Sequence, residues 1–271
     1  MPEDVIAAPD ASRRRGRIAC FDTGYEAEFD FPRRERPPSL RYMLAAVPRT
    51  GSTFLGHALW RSGCLGAPLE YLDFSSQGHQ GHLHASPESQ IEHWRLALAT
   101  RTSPNGIFGF KAFLMQLREL GEGNEALLEM LLPNEIVYVM RRDRIAHAVS
   151  YARAHLTGIW CQEQSNGANE QVDYSLDALR RAENWIEAQE EQWERLFEKL
   201  GVSPLRLWYE DVAARPDEAV QAVARHLGVD LDPEASVGVP EVRKQAGEAA
   251  GRWAAAYARD RAAPPQAESL E

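Results

Sequence analysis

Residues 41–62 read RYMLAAV-PRTGST-FLGHALWRS, and this stretch decides the fold. Arg41 to Val47 is a short, nearly continuous apolar run. Its length suits a strand buried on both faces of a parallel sheet. Pro48 to Ser52 is a turn. Thr53 to Ser62 carries helical periodicity, and Gly63 closes it. A strand, a tight loop and a helix within about 20 residues open a doubly wound α/β fold.

Outward from this unit the pattern repeats. Ser86 and Pro87 supply an N-cap and a first helical position, predicting a helix to about Thr100. Gly106 to Phe113 reads as a second strand. A short helix is expected around Glu125 to Leu132. Glu135 to Met140 (EIVYVM) is a third strand, rich in β-branched and aromatic residues. Asp143 to Leu156 is helical and ends at Gly158. Ser175 to Leu200 is a long amphipathic helix. Leu205 to Tyr209 is a fourth strand, Pro216 to Leu227 a further helix, and Val242 to Ala262 a last one. Strands alternating with helices predict a mostly parallel, doubly wound sheet with helices on both faces. Residues 1–40 read as an N-terminal tail with short extended segments between Ile18 and Phe31. Residues 41–262 form the domain and 263–271 a disordered tail.

Composition narrows the function classes. The chain has 271 residues, 44% of them hydrophobic, which suits one large soluble domain. No apolar run approaches the roughly 20 residues of a membrane span, and no secretory leader is visible, so a cytoplasmic location is expected. Cys20, Cys64 and Cys161 lie far apart, which argues against a disulfide framework or a zinc site. His79, His82 and His84 share a Gly-rich loop with no cysteine nearby. Substrate contact or solvent exposure suits them better than a metal, and no metal is expected. The net charge of −10 weighs against a nucleic-acid binder. A local arginine cluster can still hold a small anion.

Two loops carry candidate chemistry. In Pro48-Arg49-Thr50-Gly51-Ser52-Thr53 the first helical turn offers unpaired N–H groups and the positive dipole end. Gly51 permits close approach, Ser52 and Thr53 add hydroxyls, and Arg49 adds a charge that can bridge two oxygens. A plain turn with an N-cap remains an open reading of the same residues. The loop lacks the GxxxxGK[ST] spacing and its lysine, which disfavours a Mg²⁺-dependent kinase or ATPase. The second loop is Arg141-Arg142-Asp143-Arg144, at the C-terminal end of a strand, where open α/β sheets bind ligands. Arg141, with Ser150 on the helix that follows, can hold a phosphate monoester. For Arg142 and Arg144 a solvated basic turn is the better reading. Lys111 ends the strand GIFGFK, where it either faces water or reaches the same anion. Trp160 either packs or stacks on a base. Tyr209 reads as packing, with Glu210 and Asp211 capping the next element.

The pair PRTGSTFLGHALWRSG and VYVMRRDRIAHAVSYARAHLTGIW resembles the two cofactor signatures of sulfotransferases that use 3′-phosphoadenosine 5′-phosphosulfate (PAPS). The detail is similar to the bacterial Stf0-type, trehalose 2-sulfotransferase-like group. That likeness includes Gly66-Ala67-Pro68-Leu69-Glu70-Tyr71 and Val242-Arg243-Lys244-Gln245-Ala246, and spans roughly residues 41–255. The cytosolic aryl and steroid enzymes usually carry a lysine in the first loop, where this chain has Arg49.

The resemblance implies a sulfotransferase fold with a P-loop-like sheet. It implies that Arg49, Thr50, Gly51, Ser52 and Thr53 hold the 5′-phosphosulfate, and that Arg141 and Ser150 hold the 3′-phosphate. Arg243, Lys244 and Gln245 would fold over the nucleotide, although the following Gly247 to Ala250 departs from the group's pattern. Glu70 would be the general base, with Arg49 at the transferred sulfonate; Lys111, read from its strand position rather than from the resemblance, is a further candidate there. PAPS would be the donor, adenosine 3′,5′-bisphosphate (PAP) the product, and a carbohydrate or other small hydroxyl compound the acceptor. A homodimer is implied by the group alone. A nucleotide-binding module without catalysis, and a divergent P-loop kinase, remain as alternatives from other classes.

Overall fold

The structure, a computed structural model, describes residues 24–74, 86–160, 172–242 and 247–262. Four strands form its sheet: β1 (Leu40–Ala46), β2 (Ile107–Phe113), β3 (Glu135–Met140) and β4 (Leu205–Trp208). All pairings are parallel, in the order β2-β1-β3-β4. Between them run α1 (Ser52–Arg61), α2 (Pro87–Thr100), α3 (Leu114–Gly123), α4 (Glu125–Leu131), α5 (Arg144–Thr157) and α6 (Leu176–Leu200). After β4 come α7 (Tyr209–Ala214), α8 (Pro216–Leu227) and α9 (Glu248–Ala262).

The apolar strands are explained by burial on both faces. Tyr42, Leu44 and Ala46 of β1 point into a core with Leu55 and Leu59 of α1 and with Val220 and Val223 of α8. Met43 and Ala45, with Val47, point the other way, toward Trp94, Val149, Ile186, Trp193 and Phe197. Trp193 is fully buried, and its indole N–H donates to the Ala46 carbonyl at 3.0 Å. Helices thus cover both faces, as the strand–helix alternation predicts.

The register aligns the strand ends. Ala46 sits opposite both Phe113 and Val139, and Met140 sits opposite Trp208. The segments after β1, β3 and β4 therefore leave from one edge. Chain order reverses between β1 and β3, because β1 leads to β2 on one side while β3 lies on the other. In such sheets the crevice at the reversal is the binding position.

Three local findings differ from the sequence reading. The helix α3 follows β2 directly; its two glycines, Gly121 and Gly123, hide it from a propensity reading. Gln116 secures its start by accepting from the Phe113 N–H at 2.9 Å. Secondly, Ala27–Phe29 is a 3₁₀ turn rather than an extended piece. Residues 24–31 also dock on the domain: Phe31 is buried, and Arg101 binds the carbonyls of Gly24 (2.6 Å) and Glu26 (3.1 Å) and the Asp30 carboxylate (2.8 Å). Thirdly, α9 begins at Glu248, later than Val242. Among the described residues no helix is long and apolar enough to cross a membrane, and no group of three or more His, Cys, Asp or Glu is placed to hold a metal.

Candidate functional site

The loop after β1 is held in an unusual shape. Arg49 has φ +73°, in the left-handed region that non-glycine residues seldom enter, and Gly51 follows at φ +76°. A Cβ on Gly51 would lie 2.2 Å from the Tyr209 ring, so this position needs glycine for space as well as for conformation. Thr50 is fully buried, and its hydroxyl donates to the Val47 carbonyl at 2.9 Å. That hydroxyl is thus used within the loop. Ser52 is buried at the first turn of α1, and Thr53 is exposed.

The two arginine-bearing loops meet here. Arg49 Nε donates to Ser150 Oγ at 3.0 Å, across 101 residues of sequence. Its guanidinium also donates to the Trp160 carbonyl. Arg141 donates from Nη1 to the Arg49 carbonyl at 3.2 Å, and its guanidinium lies 5.0 Å from the Tyr209 ring centre. Arg141 Nε is buried and has no hydrogen-bond partner among the described residues. A buried cationic N–H left open in this way is suited to an incoming anion.

A third group adjoins the loop. Lys111 is almost fully buried in β2, two residues before its end. Its Nζ sits 2.6 Å from Glu70 Oε1 and donates to Thr53 Oγ1 at 2.7 Å. Gln116 Nε2 approaches Glu70 Oε2 at 3.4 Å. The Glu70 N–H donates to the Tyr25 phenol at 2.9 Å. Burial, and next to it the charge of Glu70, push the Tyr25 phenol well above its ordinary range. The carboxylate, the lysine and the loop hydroxyl thus form one chain of contacts, with Lys111 at its centre.

Other expected residues divide. Arg142 makes a bidentate pair with Asp211 at 2.7 and 2.6 Å and covers the Trp208 ring. Arg144 pairs with Glu190. Neither reaches the loop crevice through these contacts. Glu210 accepts from the N–H groups of Arg142 and Asp143, both at 3.1 Å, so it caps the entry to α5 as well as opening α7. Burial alone would raise its pKa, but those two N–H bonds hold it below the usual carboxylate range. Trp160 is partly exposed and meets Tyr151 edge-on at 5.7 Å. Arg243, Lys244 and Gln245 lie outside the described residues, as do His79, His82 and His84. The chain before residue 243 is tied to α1, where His57 Nδ1 lies 3.0 Å from the Pro240 carbonyl.

Sequence reasoning missed three partners. Tyr25 and Gln116 support Glu70 from distant segments, and no local pattern announces them. His147 supports the loop: its Nε2 lies 2.8 Å from the Pro48 carbonyl, in a fully buried position. It stands three residues before Ser150, on the same face of α5. That spacing is a usable signal once Ser150 is assigned to the site. Burial first of all, and then the charges of Arg141, Arg144 and Arg49, drive its pKa down to about 3 against the opposing Pro48 bond, so the ring is neutral.

The sequence has counterparts among known proteins. The Stf0 sulphotransferase family model matches residues 41–260. The chain is 26% identical over 255 residues to a trehalose 2-sulfotransferase of Mycobacterium tuberculosis (strain ATCC 35801 / TMC 107 / Erdman), covering 80% of this chain and 93% of that protein. It is 24% identical over 257 residues to the trehalose 2-sulfotransferase of Mycolicibacterium smegmatis (strain ATCC 700084 / mc(2)155), covering 81% and 94%. Among solved structures, the sulfotransferase domain from the Synechococcus PCC 7002 olefin synthase matches with a TM-score of 0.39 at 16% identity, over 84% of this chain and 98% of that one. Since the family model spans most of the chain and takes in both anchoring loops, the protein belongs to the Stf0 sulphotransferase family.

Proposed function

We propose that the protein transfers a sulfonate from PAPS to a hydroxyl of a carbohydrate, with trehalose the first acceptor to try. The observation that carries this is Lys111, which touches Glu70 on one side and the loop hydroxyl of Thr53 on the other. It ties a carboxylate suited to proton abstraction to the start of α1, which is suited to an anion.

The residues present fit the donor. Arg141 offers a buried Nε–H with no partner among the described residues for a 3′-phosphate, and Ser150 is linked to it through Arg49. The left-handed loop and the start of α1 suit the 5′-phosphosulfate, with Ser52 and Thr53 as donors and Thr50 contributing its backbone. The donor supplies an activated sulfonate on a phosphate leaving group. The protein's residues then do three things. Arg49, Lys111 and the loop amides hold negative charge already in place, and losing one such donor typically costs about 10²–10³ in turnover. Glu70 accepts the proton of the acceptor hydroxyl, worth about 10²–10⁴. Lys111 and Gln116 fix the direction of that carboxylate, and Tyr25 holds the Glu70 backbone. The scheme uses positioning and fixed charge, the logic of phosphoryl transfer.

The test compares PAP with ATP/Mg²⁺ as stabilisers and then measures sulfation of trehalose from PAPS. PAP at about 100 times its dissociation constant should add roughly 2.7 kcal/mol. Glu70→Gln should keep that stabilisation and lower turnover about 10²-fold or more. Arg141→Ala should abolish it. Stabilisation by ATP/Mg²⁺ and none by PAP would overturn the reading. Full turnover in Glu70→Gln would remove the base.

A further inference from the structure

We infer that His147 is a positioning residue that presets the anion-facing amides of the loop; the inference rests on the donor reading above. Three successive loop carbonyls are each held by a side-chain donor. Val47 O takes the Thr50 hydroxyl at 2.9 Å, Pro48 O takes His147 Nε2 at 2.8 Å, and Arg49 O takes Arg141 Nη1 at 3.2 Å. None of the described peptide bonds is cis. In a trans peptide the carbonyl and the following N–H point in opposite directions. Turning the Pro48 carbonyl inward onto His147 therefore turns the Arg49 N–H outward. Turning the Arg49 carbonyl onto Arg141 does the same for the Thr50 N–H. The positive φ of Arg49 is the backbone consequence of meeting both demands at once.

His147 is built for this single task. A carbonyl only accepts, so the proton must sit on Nε2. Nδ1 is buried without a partner among the described residues, and the ring has no exposed surface. It therefore makes no contact with an acceptor and acts only through the loop. Of the three carbonyl locks it is the one whose donor comes from outside both the loop and the expected nucleotide contacts.

The experiment uses the geometry of the two amide side chains. A glutamine places its N–H₂ about where Nε2 stands, whereas an asparagine places it near Nδ1. The dissociation constant for PAP is measured by calorimetry for the full chain, His147→Gln and His147→Asn. The melting temperature of each without ligand is measured alongside. We expect His147→Gln to bind PAP within about threefold of the native chain, and His147→Asn to lose tenfold or more, a loss larger than any fall in unliganded stability accounts for. Equal binding by His147→Asn and the native chain would overturn the inference. So would equal losses in both variants, since packing rather than the donor would then be responsible. Failure of the native chain to bind PAP is a separate outcome: it removes the donor reading, and this inference falls with it.

Discussion

The buried histidine under the loop makes stability depend on pH in a definite direction. Its folded pKa of about 3 lies far below the ordinary value of 6.5, so the unfolded chain binds a proton that the folded chain refuses. Stability must then fall as pH drops through 6.5, and the loss ends only near the folded value. The slope is at most about 1.4 kcal/mol per pH unit from this group. Melting temperatures of the native chain and His147→Gln between pH 7 and 5 check this, and the variant should show the shallower fall. Lys111 gives a second residue-scale prediction. Lys111→Met removes the contact that directs Glu70 and the donor to Thr53 together. Turnover should fall about 10²-fold or more, while PAP binding falls less. If both fall equally, Lys111 serves binding alone. At this scale the sequence offered the candidate residues but gave little sign of their neighbours. Arg49, Arg141 and Glu70 were legible as candidates because each sits in a loop, Ser150 because it lies on the helix that follows β3, and Lys111 because it lies near the end of β2. Tyr25 was not, because a phenol 45 residues before Glu70 carries no local mark of its partner.

Among the elements, a tight fit joins the loop opening α1 to the residue that opens α7. Gly51 stands in left-handed backbone with the Tyr209 ring against it. The backbone term alone makes Gly51→Ala cost about 1–2 kcal/mol. The added methyl must also displace the ring on which the Arg141 guanidinium rests. We therefore expect Gly51→Ala to lose PAP stabilisation almost completely while remaining folded by circular dichroism. Retained PAP affinity would mean that Tyr209 can move without disturbing Arg141. The strands β1, β2 and β3 were readable because burial on both faces leaves them as short, mostly apolar runs. Helices with clean caps, such as α2 and α6, were readable to within a residue, each with a serine N-cap (Ser86 and Ser175) accepting a backbone N–H. The helix α3 was not, since its apolar stripe is interrupted by glycines and its N-terminal support comes from Gln116 rather than from a capping serine or aspartate.

For the whole molecule, the N-terminal segment matters more than its composition suggests. Arg101, 4% exposed, binds Gly24, Glu26 and Asp30, and this clamp keeps Tyr25 beside Glu70. Arg101→Met should cost up to about 3 kcal/mol, toward the low end for a broken buried pair because Asp30 is partly exposed. That corresponds to a melting point lower by roughly 6–12 °C, with new protease cleavage between residues 32 and 39. An unchanged cleavage pattern would show that the segment is held by Phe31 and its neighbours instead. The parallel register has a last consequence, for synthesis on the ribosome. The first of the described strands to be made, β1, lies inside the sheet and pairs with β2 and β3, both of which emerge much later. Until Glu135–Met140 has left the exit tunnel, one side of β1 has no neighbour, and the nascent chain carries an open, apolar strand edge of the kind that recruits chaperones.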